Sequence, residues 1–240
     1  MDIVTIRNLE KRYPSFCLNK VSFSLKAGEI TGFVGRNGAG KTTTIKAMLD
    51  LVHPDGGEVL FFGQTMRGQA GRIKQRIGYS TGSIHWYPRK SIAELAAVTK
   101  HFYPNWDENA YQRYLGLFEL REEKSPAELS EGMKIKANLL LALSHRAELL
   151  VLDEPTSGLD PFSRQELLNL FGAVKQEGVG IFFSTHILSD LEACADRIVY
   201  LSQGSIRADQ NKEAFLRSFA LPGETLEQAV IRMEGGSCCG

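Results

Sequence analysis

Residues 35–42 read Gly-Arg-Asn-Gly-Ala-Gly-Lys-Thr and fill every fixed position of a phosphate-binding loop, G-x-x-x-x-G-K-[ST], between an apolar run and a helical stretch. The glycines let backbone N–H groups turn inward on an anion, and the N-terminus of the following helix adds positive potential. In that frame Lys41 reaches the β- and γ-phosphates of a nucleotide, and the Thr42 hydroxyl ligates Mg²⁺. A second stretch, "LLVLDEP", ends four apolar residues on two carboxylates. Asp153 would hold the magnesium through its water shell, and Glu154 would orient or deprotonate the attacking water. A third run, "GIFFSTH", leads to His186 at the same edge as Glu154, where an imidazole contacts the γ-phosphate and positions the base. Carboxylates ending a strand are often a solvated turn, and a lone histidine is often structural. A phosphate loop in the same chain tips both toward catalysis.

The stretch "LSEGM", 129–133, is open to two readings. Ser130 is a favoured N-cap, and Ile135, Leu139 and Leu143 then recur at four-residue spacing, so one face of the helix is expected to be buried. On its residues alone this is a helix start.

These side chains need a frame that brings them to one edge. Short apolar runs such as "ITGFV", "LLVL" and "GIFFS" alternate with amphipathic stretches, the pattern of an α/β fold with a mostly parallel sheet and helices on its faces. "VSFSL" and "GEVLFFG" read as additional, antiparallel strands near the N-terminus. From about Ser91 to Arg146 the strand signal disappears, and Ser91 with Glu94 forms a capping box while Asp107 can cap a helix from Glu108. The expected organisation is a P-loop ATPase core at 1–82 and 147–216, an all-helical subdomain at 83–146 carrying "LSEGM", and a C-terminal helix and tail at 217–240.

The 240 residues are enough to bury a sizeable core, and 28 basic against 28 acidic side chains leave no overall field to attract nucleic acid or an anionic membrane. No apolar run approaches the roughly 18–20 residues needed to cross a bilayer, and the N-terminus lacks the apolar centre of a signal peptide, so a soluble cytosolic chain is expected. Cys17, Cys194, Cys238 and Cys239 show no C-x-x-C spacing and indicate neither a disulfide framework nor a zinc site. The adjacent pair in the tail reads as two exposed thiols.

The ordered set of phosphate loop, "LSEGM", "LLVLDE", "SGLD" at 157–160 and His186 resembles the ATP-binding subunit of an ABC transporter over almost the whole chain. The resemblance implies ATP and Mg²⁺ as cofactors, with Lys41, Glu154 and His186 as catalytic residues and Thr42 and Asp153 at the metal. It implies ATP contacts from Tyr13, stacked on adenine, and from Gly35, Asn37, Gly38, Ala39, Gly40, Lys41, Thr42 and Thr43. "LSEGM" takes the place of the family signature, usually LSGGQ, so Ser130, Glu131 and Gly132 would touch the γ-phosphate of ATP held by the other subunit of a head-to-tail dimer. Asp160 closes the D-loop. Glu131 and Met133 depart from the common form, which would slow hydrolysis and keep the contact. The family's glutamine after the "IGYS" strand falls on Gly82, which offers no side-chain oxygen, with Ser83 as a substitute.

"HFYPNWDENAY", 101–111, resembles single-domain subunits of bacterial exporters of peptides or peptide antibiotics; core packing with Asp107 as a helix cap accounts for the same residues. The implied partners are a second copy of the chain or a homologous ATPase subunit, and an integral membrane transporter subunit that holds the chain at the inner face of the cell membrane. The competing readings are a soluble ABC-type ATPase, a small-molecule kinase on the same phosphate loop, and a catalytically weak ATP-binding regulator. The kinase leaves "LSEGM" and "SGLD" without a role.

Overall fold

The computed structural model describes residues 1–81 and 87–235. Near the N-terminus β1 (Asp2–Tyr13), β2 (Phe16–Lys26), β4 (Gly56–Phe61) and β5 (Gln64–Thr65) form an antiparallel sheet in the order β2-β1-β4-β5. The stretch "VSFSL" falls in β2 and residues 57–61 of "GEVLFFG" fall in β4, as the residue pattern predicts. The strand that joins them, β1, is less legible in the sequence. Its pairing with β2 shifts register between Ile6 and Leu9 and again between Leu9 and Lys11, so its buried positions break the two-residue period.

The second sheet runs β10-β9-β3-β8-β7-β6 and consists of β3 (Ile30–Val34), β6 (Ile77–Ser80), β7 (Leu149–Asp153), β8 (Gly180–Thr185), β9 (Arg197–Ser202) and β10 (Ser205–Asn211). It is parallel from β9 to β6, with β10 antiparallel on the edge. Every residue of β3, β7 and β8 is buried, which is why these strands read as continuous apolar runs rather than alternating ones. Parallel register sends their carboxyl ends to one edge, and the chemistry-bearing loops all follow those ends.

Apolar packing fills both faces. On one, Phe23 of the antiparallel sheet meets Phe33 and Phe182 of the parallel sheet with ring centroids 5.6 and 5.5 Å away, beside helix α1 (Lys41–Met48). Short helix α2 (Ala70–Lys74) leads into β6. On the other face, α3 (Ile92–Phe102), α4 (Glu108–Leu117) and α5 (Glu131–Ser144) share one apolar cluster with α6 (Pro161–Gln176), α7 (Leu188–Cys194), α8 (Lys212–Phe219) and α9 (Leu226–Gly235). Between β6 and β7 the elements among the described residues are all helices, and Ile92, Leu95, Tyr111 and Phe118 join the same cluster as Leu150, Phe171 and Ile181 of the core.

The expected caps form. Ser91 and Glu94 exchange both capping-box hydrogen bonds, and Asp107 accepts from the amides of Asn109 and Ala110. In the 101–111 segment Tyr103 stacks on His145 with ring centroids 3.8 Å apart and Trp106 packs on Tyr111, while Phe102 is exposed. His145 lies at the end of α5 and its Nδ1 is 3.1 Å from the Gln75 carbonyl, just before β6. Burial pushes its imidazole down to about 4. Helix α9 is anchored by buried Leu226, Ala229 and Val230. Gly82 and Ser83, and the thiols of Cys238 and Cys239, lie outside the described residues. Among the described residues no helix is long and apolar enough to cross a membrane.

Candidate active site

The loop after β3 wraps toward the start of α1, and two of its glycines are sterically required. Gly40 caps α1 at φ +111°, and a Cβ there would stand 2.5 Å from Phe16 Cζ and 2.7 Å from a Leu18 methyl. At Gly35 a Cβ would run into the Leu201 carbonyl. Lys41 is 6% exposed, and its ammonium donates to the Gly35 carbonyl at 2.7 Å. The lysine is thus drawn back across its own loop and held over the space that the loop encloses.

At the end of β7 the two carboxylates take different tasks. The Ser184 hydroxyl, opposite Asp153 on β8, donates to Asp153 Oδ1 at 2.6 Å and accepts from the Glu154 amide at 2.9 Å. Glu154 adopts φ +53°, the left-handed region that a side chain with a Cβ visits at some cost. This turn swings its carboxylate off the strand line, where Oε1 is 3.2 Å from Lys41 Nζ and Oε2 is 2.7 Å from His186 Nδ1. One carboxylate therefore bridges the phosphate-loop cation and the imidazole.

A cleft of about 570 Å³ opens here, lined by Phe16, by loop residues Arg36, Asn37, Gly38 and Gly40, and by Lys41, Thr42, Thr43, Glu154, Ser157 and His186. Gly35 and Ala39 lie in the same loop behind these residues, and Asp153 is nearly buried beside Glu154. Thr42 and Asp153 offer a hydroxyl and a carboxylate, hard oxygen donors suited to Mg²⁺, which keeps waters and substrate oxygens for its remaining positions. Among the described residues no group of three or more His, Cys, Asp or Glu could hold a metal ion.

Tyr13 lies outside the cleft wall. It ends β1, 41% exposed, in register with Phe16 across the hairpin turn, and it is Phe16 that lines the cleft. Phe16, Arg36, Ser157 and Ser184 were not singled out from the sequence. Arg36 sits at a variable position of the loop motif, and Ser184 becomes visible only when β7 and β8 are laid side by side in register.

The residues of "LSEGM" do not line this cleft. Ser130 is exposed and caps α5, its Oγ accepting from the Met133 amide at 3.3 Å, so the helix-start reading holds. Gly132 is buried against α6, where an added Cβ would sit 3.2 Å from Ser163 Cβ. Asp160 caps α6 by accepting from the amides of Phe162 and Ser163 at 3.0 and 3.1 Å, and the Ser163 hydroxyl and these amides hold its carboxyl below its ordinary value. The starts of α5 and α6 thus form one joined corner, away from the Lys41 cleft.

Comparison with known proteins places this geometry in a family. Residues 18–157 match the ABC transporter family. The chain is 34% identical over 221 residues to a Nod factor export ATP-binding protein I of Burkholderia orbicola (strain AU 1054), covering 90% of this chain and 73% of that protein. It is 34% identical over 208 residues to a bacitracin transport ATP-binding protein of Bacillus licheniformis, covering 85% and 68%. A solved ATP-binding subunit of an ABC transporter superposes with a TM-score of 0.86 at 29% identity, over 97% of this chain and 99% of that one. With its phosphate loop, carboxylate pair and histidine gathered on one edge of a parallel sheet, the chain belongs to the ABC transporter family as an ATP-binding, ATP-hydrolysing subunit.

Proposed function

We propose that two copies of this chain, or this chain and a homologous ATPase subunit, close head-to-tail around two ATP molecules and so drive a separate integral membrane subunit of an exporter. The observation that carries this is the division of the site. Lys41, Glu154 and His186 share one cleft, while Ser130 and Gly132 stand on the α5–α6 corner outside it. A helix N-terminus with an exposed Ser130 suits an anion presented by a neighbour. Exporter function draws support from the relatives named for Nod factor export and bacitracin transport. The resemblance of the 101–111 segment points to peptides as cargo. The same reading divides the chain into a core at 1–82 and 147–216, a helical subdomain at 83–146 and a C-terminal segment at 217–240, held at the inner face of the membrane by its partner.

In this reading Tyr13 gives adenine its aromatic face, and the amides of residues 35–43 cradle the phosphates. Lys41 exchanges Glu154 for the β- and γ-phosphates. Thr42 and Asp153 would hold Mg²⁺, which neutralises phosphate charge when bound. Glu154, freed from Lys41, takes the proton of the attacking water as the bond from the γ-phosphorus to the bridging oxygen breaks. His186 holds the far oxygen of Glu154 and contacts the γ-phosphate. Ser184 keeps both carboxylates in place from behind. Asp160 and the signature Ser130, Glu131 and Gly132 face the nucleotide of the other subunit.

Mixed dimers test the division. Gly132→Asp sets a carboxylate against the partner's γ-phosphate and asks Ser163 to yield a few tenths of an ångström, whereas Lys41→Ala spoils only the phosphate loop. Each variant alone should be inactive. Mixed, they regain ATPase activity at the one site that joins a sound loop to a sound signature. A wild-type chain tethered to the double variant separates the alternatives further: a signature acting across the dimer leaves no working site there, and a signature acting within its own chain leaves one. One working site in the tethered pair overturns the proposal.

A further inference from the structure

Three side chains outside the cleft, Thr156 and Asp190 buried and Arg164 partly so, come from the three segments that carry its catalytic and partner-facing residues. Thr156 follows Glu154 by two residues, Arg164 follows Asp160 by four on α6, and Asp190 follows His186 by four on α7. Asp190 is 1% exposed and Thr156 is fully buried. Among the described residues, the buried side-chain polar atoms without a hydrogen-bond partner are Thr156 Oγ1, Arg164 Nε and both carboxylate oxygens of Asp190. All of them belong to this one node. Arg164 Nε and Asp190 Oδ1 are 3.9 Å apart, close enough to attract and too far to hydrogen-bond.

Such a node is held open against its own electrostatics. A buried carboxylate is costly to leave unpaired, and a shift of α6 toward α7 by about 1 Å would turn the 3.9 Å contact into a charge-assisted hydrogen bond. Burial raises the Asp190 carboxyl, as does Glu154, against the pull of the Thr156 hydroxyl, the Arg164 guanidinium and the His186 ring, so the carboxylate feels both the catalytic pair and the D-loop helix. The Glu154 and His186 segments are also joined by the Glu154–His186 contact and by the Ser184 bonds to Asp153 and Glu154, none of which reaches α6, and within each segment the bonds are short and local. The Ser157 amide bonds the Glu154 carbonyl, the Arg164 amide bonds the Asp160 carbonyl, and the Ile187 amide bonds the Thr185 hydroxyl.

We propose that Asp190 is a positioning residue for hydrolysis: by engaging Arg164 and Thr156 it ties the His186 loop to the turn that carries Glu154 and Asp160. A displacement of the partner-facing corner is then passed to the base and histidine together. The groups proposed to bind the nucleotide, Lys41 at the start of α1 and the amides of the loop between β3 and α1, take no part in the node.

The test is steady-state phosphate release from Mg·ATP by the full-length chain, with KM, kcat and Tm measured for Asp190→Asn, Arg164→Met and the double variant Asp190→Leu with Arg164→Met. Misplacing a catalytic pair by about 1 Å costs on the order of 10- to 100-fold in rate, so kcat should fall by that factor in all three while KM stays within about twofold. In the double variant no unpaired charge is buried, and its Tm should return to or exceed the wild-type value with kcat still depressed. Recovery of kcat along with Tm would make the node a packing feature and overturn the proposal. So would a raised KM at unchanged kcat. The inference rests on hydrolysis at Glu154 and His186, and Glu154→Gln is run alongside: turnover surviving in that variant defeats the site reading, whereas wild-type kcat in Asp190→Asn beside an inactive Glu154→Gln defeats this inference alone.

Discussion

Replacing Glu154 by Gln should tighten ATP binding as it abolishes turnover. Lys41 Nζ stands 3.2 Å from Glu154 Oε1, and the ammonium must leave that carboxylate to serve a γ-phosphate. At 3.2 Å and an effective dielectric of about 20 the attraction is about 5 kcal/mol. The Glu154 side chain is 25% exposed and regains hydration when released, which offsets most of that figure and leaves a net competition of about 1–2 kcal/mol. Gln keeps the shape and can still bond His186 and the Lys41 ammonium, but it removes the charge that holds the lysine and repels the phosphate. The ATP dissociation constant should therefore fall by about 5- to 30-fold, while turnover with Mg²⁺ falls by about 10²- to 10⁴-fold with loss of the general base. Titration calorimetry with ATP in EDTA measures the first without hydrolysis, with Lys41→Ala as the weak-binding control. An unchanged or weakened affinity in Glu154→Gln, with the fold intact, would refute the competition between carboxylate and phosphate for Lys41.

Tyr13→Ala should weaken ATP binding by about 1–3 kcal/mol if its ring stacks on adenine; an unchanged dissociation constant beside a loss in Phe16→Ala would move the platform to the ring that lines the cleft. Gly40→Ala should cost more than about 1 kcal/mol of stability and impair nucleotide binding, because φ is +111° and the new methyl meets Phe16 and Leu18; denaturant melts and ATP titration check both. Acid should destabilise the chain through His145, whose folded imidazole titrates near 4 against an ordinary 6.5. Above 6.5 both states are neutral, and as pH falls toward 4 only the unfolded chain takes up the proton, so about 3 kcal/mol is lost over that window. Urea melts from pH 7 to pH 4 should show that slope, and His145→Asn, which still offers a donor to the Gln75 carbonyl, should flatten it.

The candidate cleft was legible in the sequence wherever local chemistry and local structure coincide. The phosphate loop is a continuous stretch whose glycines answer to backbone geometry, as Gly40 at φ +111° makes plain. The strands that position Lys41, Glu154 and His186 are buried on both faces, so they announce themselves as short apolar runs ending in polar residues. The caps at Ser91, Asp107 and Ser130 were equally readable, since an N-cap and its acceptors lie within a few residues of each other. Strand β1 was not, because register shifts interrupt its alternation, and that the ring of Phe16 lines the cleft is decided only by the hairpin.

What the sequence determined by itself was the set of reacting groups: a phosphate-loop motif, a carboxylate pair and a histidine, each following a short apolar run of a parallel sheet. Tertiary structure decided who touches whom. Glu154 bridges Lys41 and His186 only because a left-handed turn redirects it from the end of β7. Ser184 braces two carboxylates because β7 and β8 lie in register. Thr156, Arg164 and Asp190 converge on one buried point although as many as 34 positions separate them in the chain. Residue type and spacing encode interactions over a few residues, whereas contacts between distant segments depend on the packing of the whole sheet and its helices.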